Sequence, residues 1–206
     1  MTAVKICGLT RADDVTRACA LGAAYVGFNF SAASPRSLTA EDARPLAAAV
    51  RPGVLKVGVF VAEDAEAIAA AVRSAGLDLV QLHRRLTEED VASSPVPVIA
   101  VARPSAAGGF AVPRREILVR CHAVLYDPSE GSGAAIDPAR VEEASWPVPV
   151  LVAGGLTPET VGAVIRRLRP AGVDVASGVE ASPGVKDAEK LRRFFAAVRE
   201  ADAQAG

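Results

Sequence analysis

The stretch AVKICGLT, Ala3–Thr10, decides how the rest of the chain is read. Val4 and Ile6 alternate as in a strand, Gly8 breaks the run, and Thr10 reads as a helix start. Cys7 therefore falls at the last position of a strand, pointing into whatever lies beyond it. Taken alone, it also reads as a small buried hydrophobe, the usual state of a free cysteine.

The same unit recurs to the end of the chain. Short runs rich in Val, Ile and Leu alternate with helical patterns, and the strand candidates are Val4–Cys7, Tyr25–Phe30, Leu55–Val61, Leu79–His83, Val98–Ala102, Ala123–Asp127, Val148–Ala153 and Val173–Ser177. Several are continuous apolar runs, as expected of parallel strands covered on both faces. Thr10 with Asp13, and Thr39 with Asp42, form Thr-x-x-Asp helix starts. Asp137-Pro138 and Thr157-Pro158 each place a capping residue before a proline at the first helical position. Val161, Val164, Ile165 and Leu168 recur at helical spacing, as do Leu191, Phe194, Phe195 and Val198. Between Arg103 and Arg120, two glycines and two prolines leave room for little helix. Eight strand–helix units predict a compact (β/α)8 barrel, the TIM-barrel class, with a weak or missing helix after strand five. The 206 residues are read as one domain, 1–206. An open doubly wound sheet is the competing arrangement, but no GxGxxG follows any strand.

Composition narrows the function. Half of the residues are hydrophobic, enough for a large core. The 23 basic and 24 acidic side chains nearly balance and form no run of either sign, which argues against nucleic acid or an anionic membrane as partner. No apolar segment reaches the length of a bilayer span and no signal-peptide pattern opens the chain. Cys7, Cys19 and Cys121 are an odd number without CxxC spacing, so neither a disulfide framework nor a zinc site follows. A reduced, cytoplasmic protein is expected, either monomer or homodimer.

In a barrel all strand ends face one rim. Two glycine-rich segments then fall side by side, VAGGLTPETV (Val152–Val161) after strand seven and ASGVEASPGVKD (Ala176–Asp187) after strand eight. Backbone N–H groups at Gly154 and Gly155 can approach a ligand closely, and Thr157 would open a helix whose N-terminus favours an anion. Ser177 and Gly178 offer the same chemistry next door. Each segment alone is a tight βα turn. Together, at the position where barrels commonly bind phosphate, they point to a phosphorylated small-molecule substrate.

Asp127 ends strand six in HAVLYDPSEGSG, His122–Gly133. It reads either as a turn aspartate, given Pro128 and Gly131, or as an acid facing Cys7 across the barrel mouth. A thiol, with an ordinary pKa of about 8.5, needs only modest depression to act as a base, which a bound cation, a helix N-terminus or the nearby Lys5 could supply. Arg36, in the loop SAASPRSLT (Ser31–Thr39), suits a planar carboxylate, or is a solvated surface arginine. Gln81 and His83 alternate on strand four and point the same way, which makes them possible substrate contacts. His122 precedes a strand and has no evident partner.

The segments KICGLT, GFNFSAASPRSLT, VGVFV, VQLH, VAGGLTPETV and GVDVASGVEASPGVKD, in that order, resemble the phosphoribosylanthranilate isomerase family of tryptophan biosynthesis over almost the whole chain. The resemblance implies a compact (β/α)8 barrel and an Amadori rearrangement of N-(5′-phosphoribosyl)anthranilate without a cofactor or metal. By motif position it implies Cys7 as general base and Asp127 as general acid. Arg36 would hold the anthranilate carboxylate, and Gly154, Gly155, Ser177 and Gly178 the phosphate. The chain departs from the family pattern at Arg84-Arg85, where a glycine usually follows VQLH. It departs again in the shortened run after Asp127, with Glu130 and Ala134 where a glycine and a lysine are usual, and without the tryptophan often found beyond. A related isomerase with another aglycone, or a phosphate-binding homologue that has lost catalysis, are the rival expectations.

Overall fold

The computed structural model of the protein describes residues 1–104, 110–111, 113–128, 136, 138–142 and 146–205. Eight parallel strands close into a barrel: β1 (Ala3–Ile6), β2 (Tyr25–Asn29), β3 (Leu55–Phe60), β4 (Leu79–Leu82), β5 (Val98–Pro104), β6 (Ala123–Tyr126), β7 (Val150–Val152) and β8 (Gly172–Val175). Each strand pairs with its sequence neighbours, and β1 pairs with β8 in a register that sets Lys5 opposite Asp174. Every expected strand is present, with its ends shifted by at most two residues.

Parity along the strands sorts the side chains into two cores. Val4, Ile6, Val26, Phe28, Val80, Leu82, Val124, Tyr126, Val173 and Val175 face outward and pack beneath the helices. Val57, Leu79, Ile99, Val101, Ala123, Leu125, Leu151 and Ala153 face inward and fill the barrel. Since side chains alternate along a strand, the inward set continues to Lys5 and Cys7, Gln81 and His83, Arg103, Asp127, and Asp174. The barrel interior is therefore apolar below and polar at the rim, because its polar groups occupy the inward positions nearest the strand ends.

The helices that follow the strands are α1 (Ala12–Leu21), α2 (Ala40–Ala48), α3 (Ala65–Ala75), α4 (Glu88–Ser93), α5 (Arg115–Leu118), α6 (Pro138–Glu142), α7 (Val161–Leu168) and α8 (Ala188–Ala205). Helix α5 is a single turn, the weak element expected after strand five. A two-residue strand, Phe110–Ala111, pairs antiparallel with the end of β5 and uses part of that segment. The spacing that marks the apolar face of α7 buries Val161, Val164 and Ile165, and in α8 the same periodicity buries Leu191, Phe194, Phe195 and Val198. The chain ends meet where Thr2 donates its backbone N–H and its hydroxyl to Asp202 at 2.8 and 2.6 Å. No helix among the described residues is long and apolar enough to cross a membrane.

Thr39 and Asp42 form the expected capping box on α2. The other helix-start expectations divide. Thr10 does not cap α1: Arg11 holds the cap position without a side-chain bond, and the Thr10 hydroxyl donates to the Gly184 carbonyl at 2.6 Å. A tertiary partner beyond the neighbouring strand β8 has displaced the local one. Thr157-Pro158 does not begin α7 either, since that helix starts at Val161, with Thr157 and Thr160 closing a preceding turn through their hydroxyls. The cap at Asp137 lies outside the described residues, as do Glu130 and Ala134.

Candidate active site

A cavity of about 570 Å³ opens at the C-terminal ends of the strands, a volume suited to one small substrate. Its wall includes Cys7, Arg36, Gln81, His83, Arg103, Asp127, Gly154, Gly155, Asp174, Ser177 and Gly178. Residues spread over the whole sequence thus meet on one rim, and of the residues expected to act on or contact the substrate (Cys7, Asp127, Arg36, Gln81, His83, Gly154, Gly155, Ser177, Gly178 and Lys5) all but one are among them.

The exception is Lys5. Its side chain is fully buried one layer below Cys7, where its ammonium donates to Asp174 Oδ1 at 3.0 Å. Burial works against the Lys5 charge, but the Asp174 carboxylate, helped by the Cys7 sulfur, outweighs it and holds the lysine above its ordinary pKa. Burial also pushes the Cys7 thiol up; Lys5 and Lys186 pull it back, while Asp174 adds to the rise. Space for this stack comes from Gly27 on the neighbouring β2, where a Cβ would lie 2.9 Å from Cys7 Sγ and 3.3 Å from Lys5 Nζ.

Across the cavity, His83 sits between two partners. Arg103 Nη2 donates to His83 Nδ1 at 3.0 Å, and the Gln81 side-chain amide lies 2.6 Å from His83 Nε2. A guanidinium only donates, so Nδ1 must accept, and a neutral ring then carries its proton on Nε2. The Gln81 nitrogen is the atom set against the ring; with Nε2 protonated, an amide rotated to present Oε1 would accept from it and give that oxygen the hydrogen bond it otherwise lacks. Burial lowers the His83 pKa to about 4, opposed by Asp127 and reinforced by Arg103 and Lys5. The imidazole is therefore neutral at pH 7, a fixed polar group beside Asp127. Asp127 is itself buried, its backbone N–H bonded to Ala102 O at 3.0 Å.

The two glycine segments lie against each other. Gly154 and Gly155 follow β7 with φ of 103° and 60°, a left-handed backbone that glycine adopts freely. Ser177–Val179 form a short 3-10 turn after β8, and a Cβ on Gly178 would run into the carbonyl oxygen of Leu156. Only the absence of a side chain lets these two turns close over one edge of the cavity.

Arg36 reaches the cavity from the loop after β2, its stem crossing Gly8 where a Cβ would collide with Arg36 Cδ. Its Nε and Nη2 donate to the two oxygens of Glu180 at 2.8 and 2.6 Å. Lys186 donates to the same Glu180 at 2.7 Å and to Ala176 O at 3.1 Å. Asp174, Glu180, Lys186 and Arg103 were not singled out from the sequence. Strand parity would have pointed to Asp174 and Arg103, which share inward positions with Lys5 and His83; nothing local marked Glu180 or Lys186. Two other expectations resolve differently. His122 meets Tyr25 in the barrel, its Nε2 3.3 Å from the phenol oxygen. Arg84, at one departure from the family pattern, bonds Glu63 O and Asp90 at 2.6 and 2.7 Å, tying the α3 and α4 loops together.

Comparison with known proteins agrees with this arrangement. Residues 4–197 match the family model described as N-(5'phosphoribosyl)anthranilate (PRA) isomerase. The chain is 42% identical to the N-(5'-phosphoribosyl)anthranilate isomerase of Chlorobaculum tepidum, over 98% of this chain and 97% of that one. Its fold is similar to the crystal structure of phosphoribosyl anthranilate isomerase from Thermus thermophilus, with a TM-score of 0.84 and 37% identity, covering 97% of this chain and 99% of that chain. It is also similar, at a TM-score of 0.80 and 32% identity over 97% of this chain and 100% of that one, to phosphoribosyl anthranilate isomerase in complex with reduced 1-(o-carboxyphenylamino)-1-deoxyribulose 5-phosphate. By these matches over nearly its full length, the chain belongs to the N-(5'-phosphoribosyl)anthranilate isomerase family.

Proposed function

We propose that residues 1–206 act as one barrel domain that isomerises N-(5′-phosphoribosyl)anthranilate to 1-(2-carboxyphenylamino)-1-deoxyribulose 5-phosphate, a step of tryptophan biosynthesis. The observation that carries this reading is the single cavity lined by Cys7, Asp127, Arg36 and both glycine segments. The solved relative in complex with the reduced product of that description supports the choice of ligand.

The chemistry follows from the groups present. Asp127 protonates the furanose ring oxygen, and the ring opens to a protonated Schiff base. That iminium is an electron sink beside C2′ and makes its proton acidic. Cys7, as thiolate, removes the proton, and the resulting enolamine relaxes to the ketone. No atom is gained or lost. Lys5, in contact with the sulfur's surroundings but below the cavity, favours the thiolate against the effect of burial. Arg36 holds the aryl carboxylate, while the turns at Gly154–Gly155 and Ser177–Gly178 hold the phosphate. Anchoring both ends of the substrate fixes the ribose between base and acid, so much of the rate comes from positioning. Neutral His83 and Gln81 offer polar contacts to the sugar hydroxyls.

Purified protein mixed with N-(5′-phosphoribosyl)anthranilate should consume it, seen as loss of the substrate's fluorescence with the ketone product recovered. Persistent fluorescence would overturn the reading.

A further inference from the structure

Glu180 is a buried carboxylate that the proposed chemistry does not use, yet it accepts four hydrogen bonds. Its Oε1 accepts from Arg36 Nε at 2.8 Å, from Lys186 Nζ at 2.7 Å and from the backbone N–H of Gly184 at 3.2 Å, and its Oε2 accepts from Arg36 Nη2 at 2.6 Å. Its side chain is 5% exposed and that of Lys186 0%, whereas Arg36 keeps 19%. The Arg36 hydrogen bonds and the Lys186 ammonium outweigh burial and hold the Glu180 pKa below its ordinary value. The cluster is thus two cations around one anion, and only Arg36 reaches the cavity.

The geometry of the fork matters. Nε and one side of Nη2 are taken by Glu180, which fixes the plane of the guanidinium. What remains is its outer edge, made of Nη1 and the second N–H of Nη2, a donor pair with the same spacing as the first. Contact with Gly8 confines the stem from the other side. Lys186 matters as well: without it, Arg36 and Glu180 would form a neutral pair, and an approaching anion would meet the glutamate's repulsion.

We infer that Glu180 is a positioning residue, which with Lys186 as its counter-charge presents the outer edge of Arg36 to the aryl carboxylate of the substrate. This rests on the isomerase reading above. The opposing view is that Glu180 and Lys186 only clamp the small hairpin of Glu180–Ser182 and Val185–Lys186. In that case their loss would change stability and leave carboxylate recognition intact.

The full chain and the variants Glu180→Gln, Arg36→Ala and Glu180→Gln/Arg36→Ala would be compared on two substrates, N-(5′-phosphoribosyl)anthranilate and N-(5′-phosphoribosyl)aniline, which lacks the carboxylate. Binding of the reduced products of both would be measured separately. The expected result is that Glu180→Gln lowers the preference for the carboxylated compound about tenfold or more, mainly through KM, with little change on the aniline compound. In the Arg36→Ala background it should add nothing, because the two residues act as one unit. Should Glu180→Gln fail to fold with Lys186 left unpaired, Glu180→Gln/Lys186→Met removes both buried charges and serves the same comparison. An unchanged preference in a folded variant overturns the inference. Wild-type protein that binds the carboxylated product preferentially but turns over neither substrate would instead defeat the isomerase reading and leave the positioning role standing.

Discussion

The two walls of the cavity hold their polar groups in different ways. On the β1–β8 wall, charge faces charge across strands: Lys5 with Asp174, and Glu180 with both Lys186 and Arg36. On the β4–β6 wall a neutral imidazole is held between an amide and a guanidinium beside Asp127. The difference follows from what each wall has to hold. On the proposed mechanism, a sulfur whose thiol is pushed up by burial needs nearby cations to become a base, and those cations need buried anions to remain there. On the same mechanism, the opposite wall needs a fixed polar surface that does not exchange protons in competition with the proposed acid, Asp127.

The sharpest way to break this comparison is to remove one proposed reacting group from each wall. Cys7→Ala and Asp127→Ala should each lower kcat by roughly 10²–10⁴-fold, the usual worth of an acid or base, while circular dichroism and thermal unfolding stay close to wild type. Near-normal turnover in either variant would remove that residue from the mechanism.

A smaller effect is expected from Lys5→Met. It deletes the nearest cation from the sulfur and leaves Asp174 buried opposite it, so the thiol pKa climbs further. Each unit of that rise lowers the thiolate fraction about tenfold at neutral pH. The rate at pH 7 should fall by about that factor and recover partly as pH rises, displacing the limb of the kcat/KM profile set by the thiol to higher pH. A profile that scales down uniformly without moving would show that Lys5 does not tune the base.

The least effect belongs to the neutral wall and concerns stability. His83 has a folded pKa of about 4, below the ordinary value of 6.5. A group whose pKa is depressed on folding contributes stability above its unfolded pKa, and this is lost as pH falls through the folded value. The protein should therefore lose stability between about pH 6.5 and pH 4, by on the order of 3 kcal/mol from this group. Replacing His83 with glutamine should flatten the dependence in urea unfolding curves taken across that window. An equally steep dependence in the variant would place its source elsewhere.

Most of the barrel was legible because each parallel strand is covered on both faces and so reads as an apolar run. Cys7, Asp127, Arg36 and the glycine turns were also visible, since each sits at a strand end or in the loop after it. Thr157 lost its helix to a local turn closed with Thr160, whereas Thr10 abandoned its own helix for a distant partner, Gly184 O. Glu180 and Lys186 were invisible for the same reason, because their meaning lies in Arg36, brought to them from the second loop.

By itself, then, the order of residues determined the alternation of strand and helix, the inward parity of Lys5, Cys7, Gln81, His83 and Asp127, and the place of the glycines, all of which depend on neighbours a few positions away. Only closure of the ring decided that Lys5 meets Asp174 across the β1–β8 seam, that His83 is held neutral by burial beside Arg103, and that Arg36 is forked by Glu180. Those are pairings between charges far apart along the chain. Their strength depends on burial and on distances of about 3 Å, which only the tertiary fold sets.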